Sequence, residues 1–177
     1  MIRKYEILPP TDAQKELCAK FAKDSVYSNF SYYAKNRNQD DLIKVRNDIY
    51  IGKCAEYSVY NAFSFIDISE PDTNIYNSYE KSYDCDLYAE NLEIHVKAHR
   101  PTKFPVSWLF QPNEKVVYQP NKNELLALCD LERPAGGGAL YLMTAEYAVD
   151  LYKDPLSPKL AGKKKCIYLK DIINDKK

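Results

Sequence analysis

The stretch YDCDLYAENLEIHVKAH, residues 83–99, contains the most regular pattern in the sequence. From Leu92 onward, apolar side chains alternate strictly with polar ones. Because successive side chains of a strand point to opposite faces of a sheet, this alternation predicts a strand with one buried face. The preceding segment, Tyr83–Ala89, predicts a second strand, and the short connection at Glu90 and Asn91 predicts a hairpin.

The polar face of this hairpin is rich in groups that do chemistry. Asp84 and Asp86 share one face of the first strand, and Glu93, His95 and Lys97 share one face of the second. If the two faces coincide, directly paired side chains lie about 5 Å apart. Carboxylates suit a hard cation such as Mg²⁺, and a nearby lysine can orient a water and stabilise charge that develops on phosphorus. The set therefore indicates metal-assisted phosphodiester hydrolysis.

Two other interpretations of the same face stay open. Alternating strands commonly carry charges on their solvated side, and Asp–Lys pairs across strands are ordinary surface contacts. The two histidines, His95 and His99, also suggest zinc. No thiolate or third histidine accompanies them, and the five cysteines are scattered without a CxxC pair.

The flanking segments predict a mixed chain. Thr11 and Gln14 form a capping box that opens a first helix, and a second helix is expected from about Asn47, with Glu56 at the border of its apolar stripe. Further on, KVVYQ, ALYLM and CIYLKDII predict strands, ELLALCDL a buried strand or helix, and TAEYAVDLYK a short helix. This order fits an α/β or α+β class with a small mixed sheet flanked by helices.

Size and composition set further expectations. The chain has 177 residues, of which 45% are hydrophobic and 28% are charged, as is typical of a globular protein. We expect one domain, 1–177, with an N-terminal helical extension at 1–46 and a motif-bearing core at 47–111. No apolar run approaches the roughly 20 residues of a membrane span, and no apolar signal segment opens the chain. The sequence therefore predicts no membrane partner and a cytoplasmic location.

The pattern D-C-D-L-Y … L-E-I-H-V-K resembles the core of the PD-(D/E)XK nuclease superfamily. In that superfamily, an Asp at the start of one strand and an acid-x-Lys triplet on the next strand form the active site. The upstream segment GKCAEYSVYNAF resembles the helix that often supplies a further glutamate, and the downstream SWLFQ lies where many members line the cleft. The resemblance extends from about Gly52 to Gln111.

The resemblance implies a restriction-endonuclease-like α/β fold, with a mixed central sheet flanked by helices. Asp86 matches the motif aspartate, with Asp84 as the fallback, Lys97 matches the motif lysine, and Glu56 matches the helix glutamate. His95 departs from the family, because it gives HVK where members usually show EVK or DVK. Mg²⁺ or Mn²⁺ is then expected among Asp86, Asp84, Glu56 and His95.

The activity that this resemblance implies is a divalent-metal-dependent DNA endonuclease, of the kind that acts in restriction, repair or phage attack on host DNA. Such enzymes often work as homodimers. Lys163, Lys164, Lys165 and Gln111 are the expected DNA contacts. The alternative, favoured by the HVK replacement, is a nuclease-like fold without activity that binds DNA or a protein. An RNase on the same scaffold is a third candidate.

Overall fold

The computed structural model of the protein describes residues 1–37, 41–75, 85–99, 101 and 103–174. The strands are β1 (Arg3–Ile7), β2 (Leu87–Ala89), β3 (Leu92–His99), β4 (Ser107–Phe110), β5 (Glu124–Leu131), β6 (Gly138–Thr144) and β7 (Lys165–Tyr168). The helices are α1 (Asp12–Arg37), α2 (Leu42–Ala62), α3 (Lys115–Tyr118), α4 (Ala145–Ala148) and α5 (Leu169–Asn174), with a 3-10 turn at Val149–Leu151.

The centre of the fold is a mixed five-stranded sheet with the order β1-β6-β5-β3-β2. Neighbouring strands run antiparallel, except β3 and β5, which are parallel. β4 and β7 form a separate two-stranded antiparallel sheet. The predicted α/β class with a mixed central sheet and helices is therefore confirmed.

The alternation in β3 separates two hydrophobic clusters. Ile94 and Val96 lie in a buried cluster with Ala55 and Val59, which are residues of α2. The other cluster contains Leu126 and residues of β4, α3 and α4. Since β3 and β5 are parallel and His95 is paired in register with Leu126, the polar face of β3 lies on the side of this second cluster.

The predicted hairpin with its turn at Glu90 and Asn91 is confirmed, but its first strand is shorter than expected. Leu87 pairs with Ile94, and Ala89 pairs with Leu92. The connection uses Glu90 at a φ of 54°, a left-handed conformation that is common in tight turns. β2 begins only at Leu87, which makes it shorter than the strand predicted from Tyr83. Tyr83 and Asp84 themselves lie outside the described residues.

The first helix opens as the sequence predicts. The Thr11 N–H donates to Oε1 of Gln14 at 2.9 Å, and the Gln14 N–H donates to Oγ1 of Thr11 at 3.3 Å, which is a reciprocal capping box. The second helix begins earlier than expected, because Asp41 caps it by accepting a hydrogen bond from the N–H of Lys44 at 3.1 Å.

Three expectations outside the site were wrong. KVVY forms the helical turn α3 instead of a strand, with Val116 buried in the second cluster. Its β-branched valines favour a strand, but packing decides so short a segment. CIYLKDII is divided between β7 and α5. The segment 1–46 is not purely helical, because β1 forms one edge of the central sheet and contributes Ile7 to the core.

None of the helices within the described ranges combines the length and the apolarity that crossing a membrane requires.

Candidate functional site

The beginnings of the parallel strands β3 and β5 bring together three side chains of types that can bind a metal ion. Glu93 is the register partner of Glu124, and His95 follows on the same face of β3. One ligand atom from each of Glu93, His95 and Glu124 lies within 4.8 Å of the other two. We call these three residues the Glu-His-Glu group.

Two atoms of the Glu-His-Glu group are buried without a hydrogen bond. They are Nε2 of His95 and Oε1 of Glu124, neither of which has a hydrogen-bond partner among the residues described. The side chain of Glu124 is 0% exposed, and its Oε2 accepts from the N–H of Asn121 at 3.0 Å. Oε1 lies 3.3 Å from Nζ of Lys115, an ion pair without hydrogen-bond geometry. A buried nitrogen and a buried oxygen without hydrogen bonds, in side chains whose ligand atoms lie this close together, are suited to a shared cation.

Electrostatics keep the imidazole of His95 in the form that binds metals. Burial lowers the pKa of His95, and the positive charge of Lys97 lowers it further, whereas the carboxylates of Asp86 and Glu124 act in the opposite direction. The net effect is a pKa below the ordinary value, so the ring is neutral at physiological pH. A neutral imidazole can offer a nitrogen lone pair to a metal ion.

Lys97 lies on the same face of β3 and is held by a carboxylate. Its Nζ is 2.7 Å from Oε2 of Glu114, and it also lies 5.4 Å from the centre of the Phe110 ring. The other oxygen of Glu114, Oε1, accepts from the N–H of Gln111 at 2.8 Å. Gln111 and Lys97, both predicted site residues, therefore meet through Glu114.

Asp86 lies at the edge of the sheet, just before β2 begins. Its N–H donates to the carbonyl of Ile94 at 3.0 Å, and its Oδ2 accepts from the N–H of Val96 at 2.7 Å. Its negative charge acts to raise the pKa of Glu56 and also that of His95, although burial keeps the pKa of His95 below its ordinary value. The carboxylate of Asp86 therefore acts on side chains from both faces of the sheet. It does not belong to the Glu-His-Glu group.

Glu56 lies apart from the Glu-His-Glu group. It is a residue of α2, the helix that packs on the Ile94 face of β3, and Nζ of Lys53 lies 2.5 Å from its Oε2. Burial and, second, the charge of Asp86 raise the pKa of Glu56 to about 8, against the opposing effect of Lys53. Glu56 is therefore a buried acid that is influenced by Asp86, and it lies on the opposite side of β3 from His95.

The predicted DNA-contacting lysines precede and begin β7. Lys163 is exposed, and Lys164 and Lys165 are half-buried. Lys165 pairs in register with Phe110 of β4, whose ring lies near Lys97, and its Nζ is 3.0 Å from Oδ1 of Asp154. This basic segment is thus connected to the polar face of β3 through β4.

Two carboxylates near this face, those of Glu124 and Glu114, were not predicted from the sequence. Glu124 opens the apolar run ELLALCDL, and a lone carboxylate at the start of a buried strand was the available signal. Glu114 lies in a loop and gave no periodic signal. A cavity of about 800 Å³ lies near the other end of the sheet, lined by residues such as Lys4, Lys15 and Arg133. It contains none of the predicted site residues.

Comparison of the chain with models of protein families, with curated proteins and with solved structures found no match. The resemblance to the PD-(D/E)XK superfamily therefore depends on the residues quoted above and on no identified relative.

Proposed function

We propose that this protein is a divalent-metal-dependent nuclease that hydrolyses phosphodiester bonds in DNA. The observation that supports it best is the polar face of β3, where Glu93, His95 and Lys97 follow one another and Glu124 of β5 completes the Glu-His-Glu group. A restriction-endonuclease-like fold is part of the proposal. It is supported by the hairpin of β2 and β3, by the parallel pairing of β3 with β5, and by α2 packed behind them.

The donor set fits a divalent cation. Two carboxylates and a neutral imidazole are ligands that Mn²⁺ accepts readily, and the carboxylates alone suit Mg²⁺. The proposal of a cation at this position is supported by Nε2 of His95 and Oε1 of Glu124, which are buried without hydrogen bonds. When bound, such an ion stabilises the negative charge that accumulates on a phosphate during hydrolysis. The expected ligands thus change from Asp86, Asp84 and Glu56 to Glu93 and Glu124, with His95 kept.

The role proposed for Lys97 is to position the attacking water and to donate a hydrogen bond to a phosphate oxygen. Glu114 restrains the lysine through the ion pair of 2.7 Å. Asp86 acts on the same strand, because its carboxylate fixes the backbone of Val96 between His95 and Lys97. A misplaced lysine loses much of its catalytic benefit, since such groups work only in a narrow geometry.

DNA contacts are proposed for the surface that leads away from this face. Gln111 adjoins the Lys97–Glu114 pair, and the basic segment of Lys163, Lys164 and Lys165 adjoins Phe110. Positive side chains there can neutralise phosphates along a bound strand. The proposal includes a homodimer, because two copies of the site could each cut one strand of a duplex.

A second candidate is a nuclease-like binding protein without hydrolytic activity. The ion pair between Lys97 and Glu114 favours it, because the lysine is already neutralised and is not presented to a substrate. The histidine in place of the family acid points the same way.

Incubation of supercoiled plasmid with Mg²⁺ or Mn²⁺ tests the proposal, with the parent compared to Lys97→Ala and to the surface control Lys122→Ala. We expect nicking by the parent and by the control, and its loss in Lys97→Ala and after chelation. Undiminished cleavage by Lys97→Ala contradicts the site. DNA binding without cleavage favours the second candidate. A single-stranded RNA offered in parallel tests for an RNase.

A further inference from the structure

Glu124 is an unusual residue for the start of a core strand. Its side chain is fully buried, yet only Oε2 has a hydrogen bond, which comes from the N–H of Asn121. An ionised carboxylate in such a place requires a nearby positive charge, because burying an unpaired charge is costly. The described residues supply one ammonium at this position, that of Lys115 at 3.3 Å from Oε1.

Lys115 is well placed to leave. It is the first residue of the helical turn α3, and its side chain is 46% exposed, whereas that of Glu124 is 0% exposed. The ammonium of a flexible surface lysine can move into water, and a cation that takes its place keeps the buried charge of Glu124 compensated. The two partners therefore differ, because the carboxylate of Glu124 is buried whereas the side chain of Lys115 is accessible to solvent.

We propose that Lys115 is the resident counter-charge of the Glu-His-Glu group in the metal-free protein, and that a divalent cation binds there by displacing it. The inference rests on the cation site of the proposed function, but not on hydrolysis. It is supported by the positions of Lys115 and the metal-binding group around the same buried carboxylate. Its second support is the buried Nε2 of His95, which the ammonium leaves without a hydrogen bond and which a metal ion can use.

Two effects are expected from this exchange, one on the affinity for the metal ion and one on the side chain of Lys115. The cation competes with an ammonium, so removal of the Lys115 charge strengthens metal binding instead of weakening it. The displaced ammonium becomes solvated at the rim of the same site. Both effects are independent of any substrate.

Titration with Mn²⁺, followed by the electron paramagnetic resonance signal of the free ion, tests the exchange. The samples are the parent, Lys115→Gln, the charge-preserving Lys115→Arg, and Lys122→Gln, which removes an exposed lysine nearby. We expect Lys115→Gln to bind Mn²⁺ about two- to fivefold more tightly, the size of a partly exposed ion pair. Lys115→Arg and Lys122→Gln should bind like the parent. Glu124→Gln should abolish binding in the parent and in the Lys115→Gln background.

A second measurement follows the lysine itself. Acetylation of Lys115, read by mass spectrometry, should become faster when Mn²⁺ is added to the parent, while acetylation of Lys122 is unchanged. The inference is overturned if Lys115→Gln binds Mn²⁺ no more tightly than the parent does. It is also overturned if the acetylation rate of Lys115 is the same with and without Mn²⁺. If the exchange is observed but plasmid remains intact, only the proposed hydrolysis fails. If plasmid is cut and Lys115→Gln binds like the parent, only the exchange fails.

Discussion

The carboxylate of Asp86 accepts a hydrogen bond from the backbone N–H of Val96 at 2.7 Å, one residue before β2 begins. The side chain thus replaces a backbone carbonyl of β2 as the hydrogen-bond acceptor for β3, at a point where β2 has not yet begun. Asp86 therefore has a structural role beside any chemical one, and a simple loss of activity on its removal has two explanations.

Two single substitutions of Asp86, by Asn and by Ala, separate the structural role from the chemical one. Asp86→Asn keeps an oxygen acceptor for Val96, so its free energy of unfolding should stay close to that of the parent. Asp86→Ala leaves the N–H of Val96 unpaired and should lower the free energy of unfolding by about 1 kcal/mol. This is the low end of the cost of an unsatisfied polar group, because the hydrogen bond is only partly buried. Urea unfolding measures both. If charge on Asp86 serves hydrolysis, both variants lose plasmid cleavage. Equal destabilisation of the two variants contradicts the acceptor role.

The ion pair of Lys97 and Glu114 should be measurable in a double-mutant cycle. The side chains are 27% and 26% exposed, so the coupling should be about 0.2–1 kcal/mol in the free energy of unfolding. Glu114→Gln suits the cycle because its amide oxygen still accepts from the N–H of Gln111. Lys97→Met is the second arm, and urea unfolding of both single variants and the double variant gives the coupling. A coupling of zero contradicts a persistent pair.

Glu56 should make stability fall as the pH rises. Its pKa is raised from 4.5 to about 8, so the folded state binds the proton more tightly than the unfolded state does. The contribution is complete below pH 4.5 and is lost as the pH rises through about 8. The slope is at most about 1.4 kcal/mol per pH unit.

Urea unfolding between pH 6.5 and 8 is the best window for this test, since the lowered pKa of His95 acts in the opposite direction below its ordinary value of 6.5. Glu56→Gln should flatten the profile, and the exposed control Glu16→Gln should leave it unchanged. A profile that is the same in Glu56→Gln and the parent shows that the buried acid does not titrate in this window.

The imidazole of His95 should set the preference among metal ions. A nitrogen ligand favours Mn²⁺ over Mg²⁺, because Mg²⁺ prefers oxygen. His95→Glu should therefore reduce the ratio of Mn²⁺ to Mg²⁺ affinity several-fold, as measured by calorimetry with each ion. Glu93→Gln is the matched control and should weaken both ions alike. An unchanged ratio in His95→Glu indicates that the ring does not bind the ion.

The basic segment before β7 should contribute to DNA affinity through charge alone. Each phosphate contact adds about 0.9 to the slope of log affinity against log salt for duplex DNA. Lys163→Gln and Lys164→Gln should each reduce that slope by about one contact, in fluorescence-anisotropy titrations of a short duplex. Lys20→Gln on α1 should not change it. An equal slope in all variants removes this segment from the proposed interface.

Local features of this molecule follow from the sequence alone. The alternation from Leu92 to His99 fixed which side chains share a face of β3, because a strand has a period of two whatever surrounds it. The Thr11–Gln14 capping box fixed the start of α1 for a similar reason, since its atoms lie within one helical turn.

Which side chains lie close together depends on the tertiary fold. Glu124 joins Glu93 and His95 only because β3 pairs with β5 in parallel and in one register, and nothing local in either strand specifies that pairing. Glu56 lies away from His95 because the apolar stripe of α2 packs on the other face of β3. A periodic pattern specifies the faces of its own segment, whereas contacts between distant segments depend on how all the apolar faces are buried together.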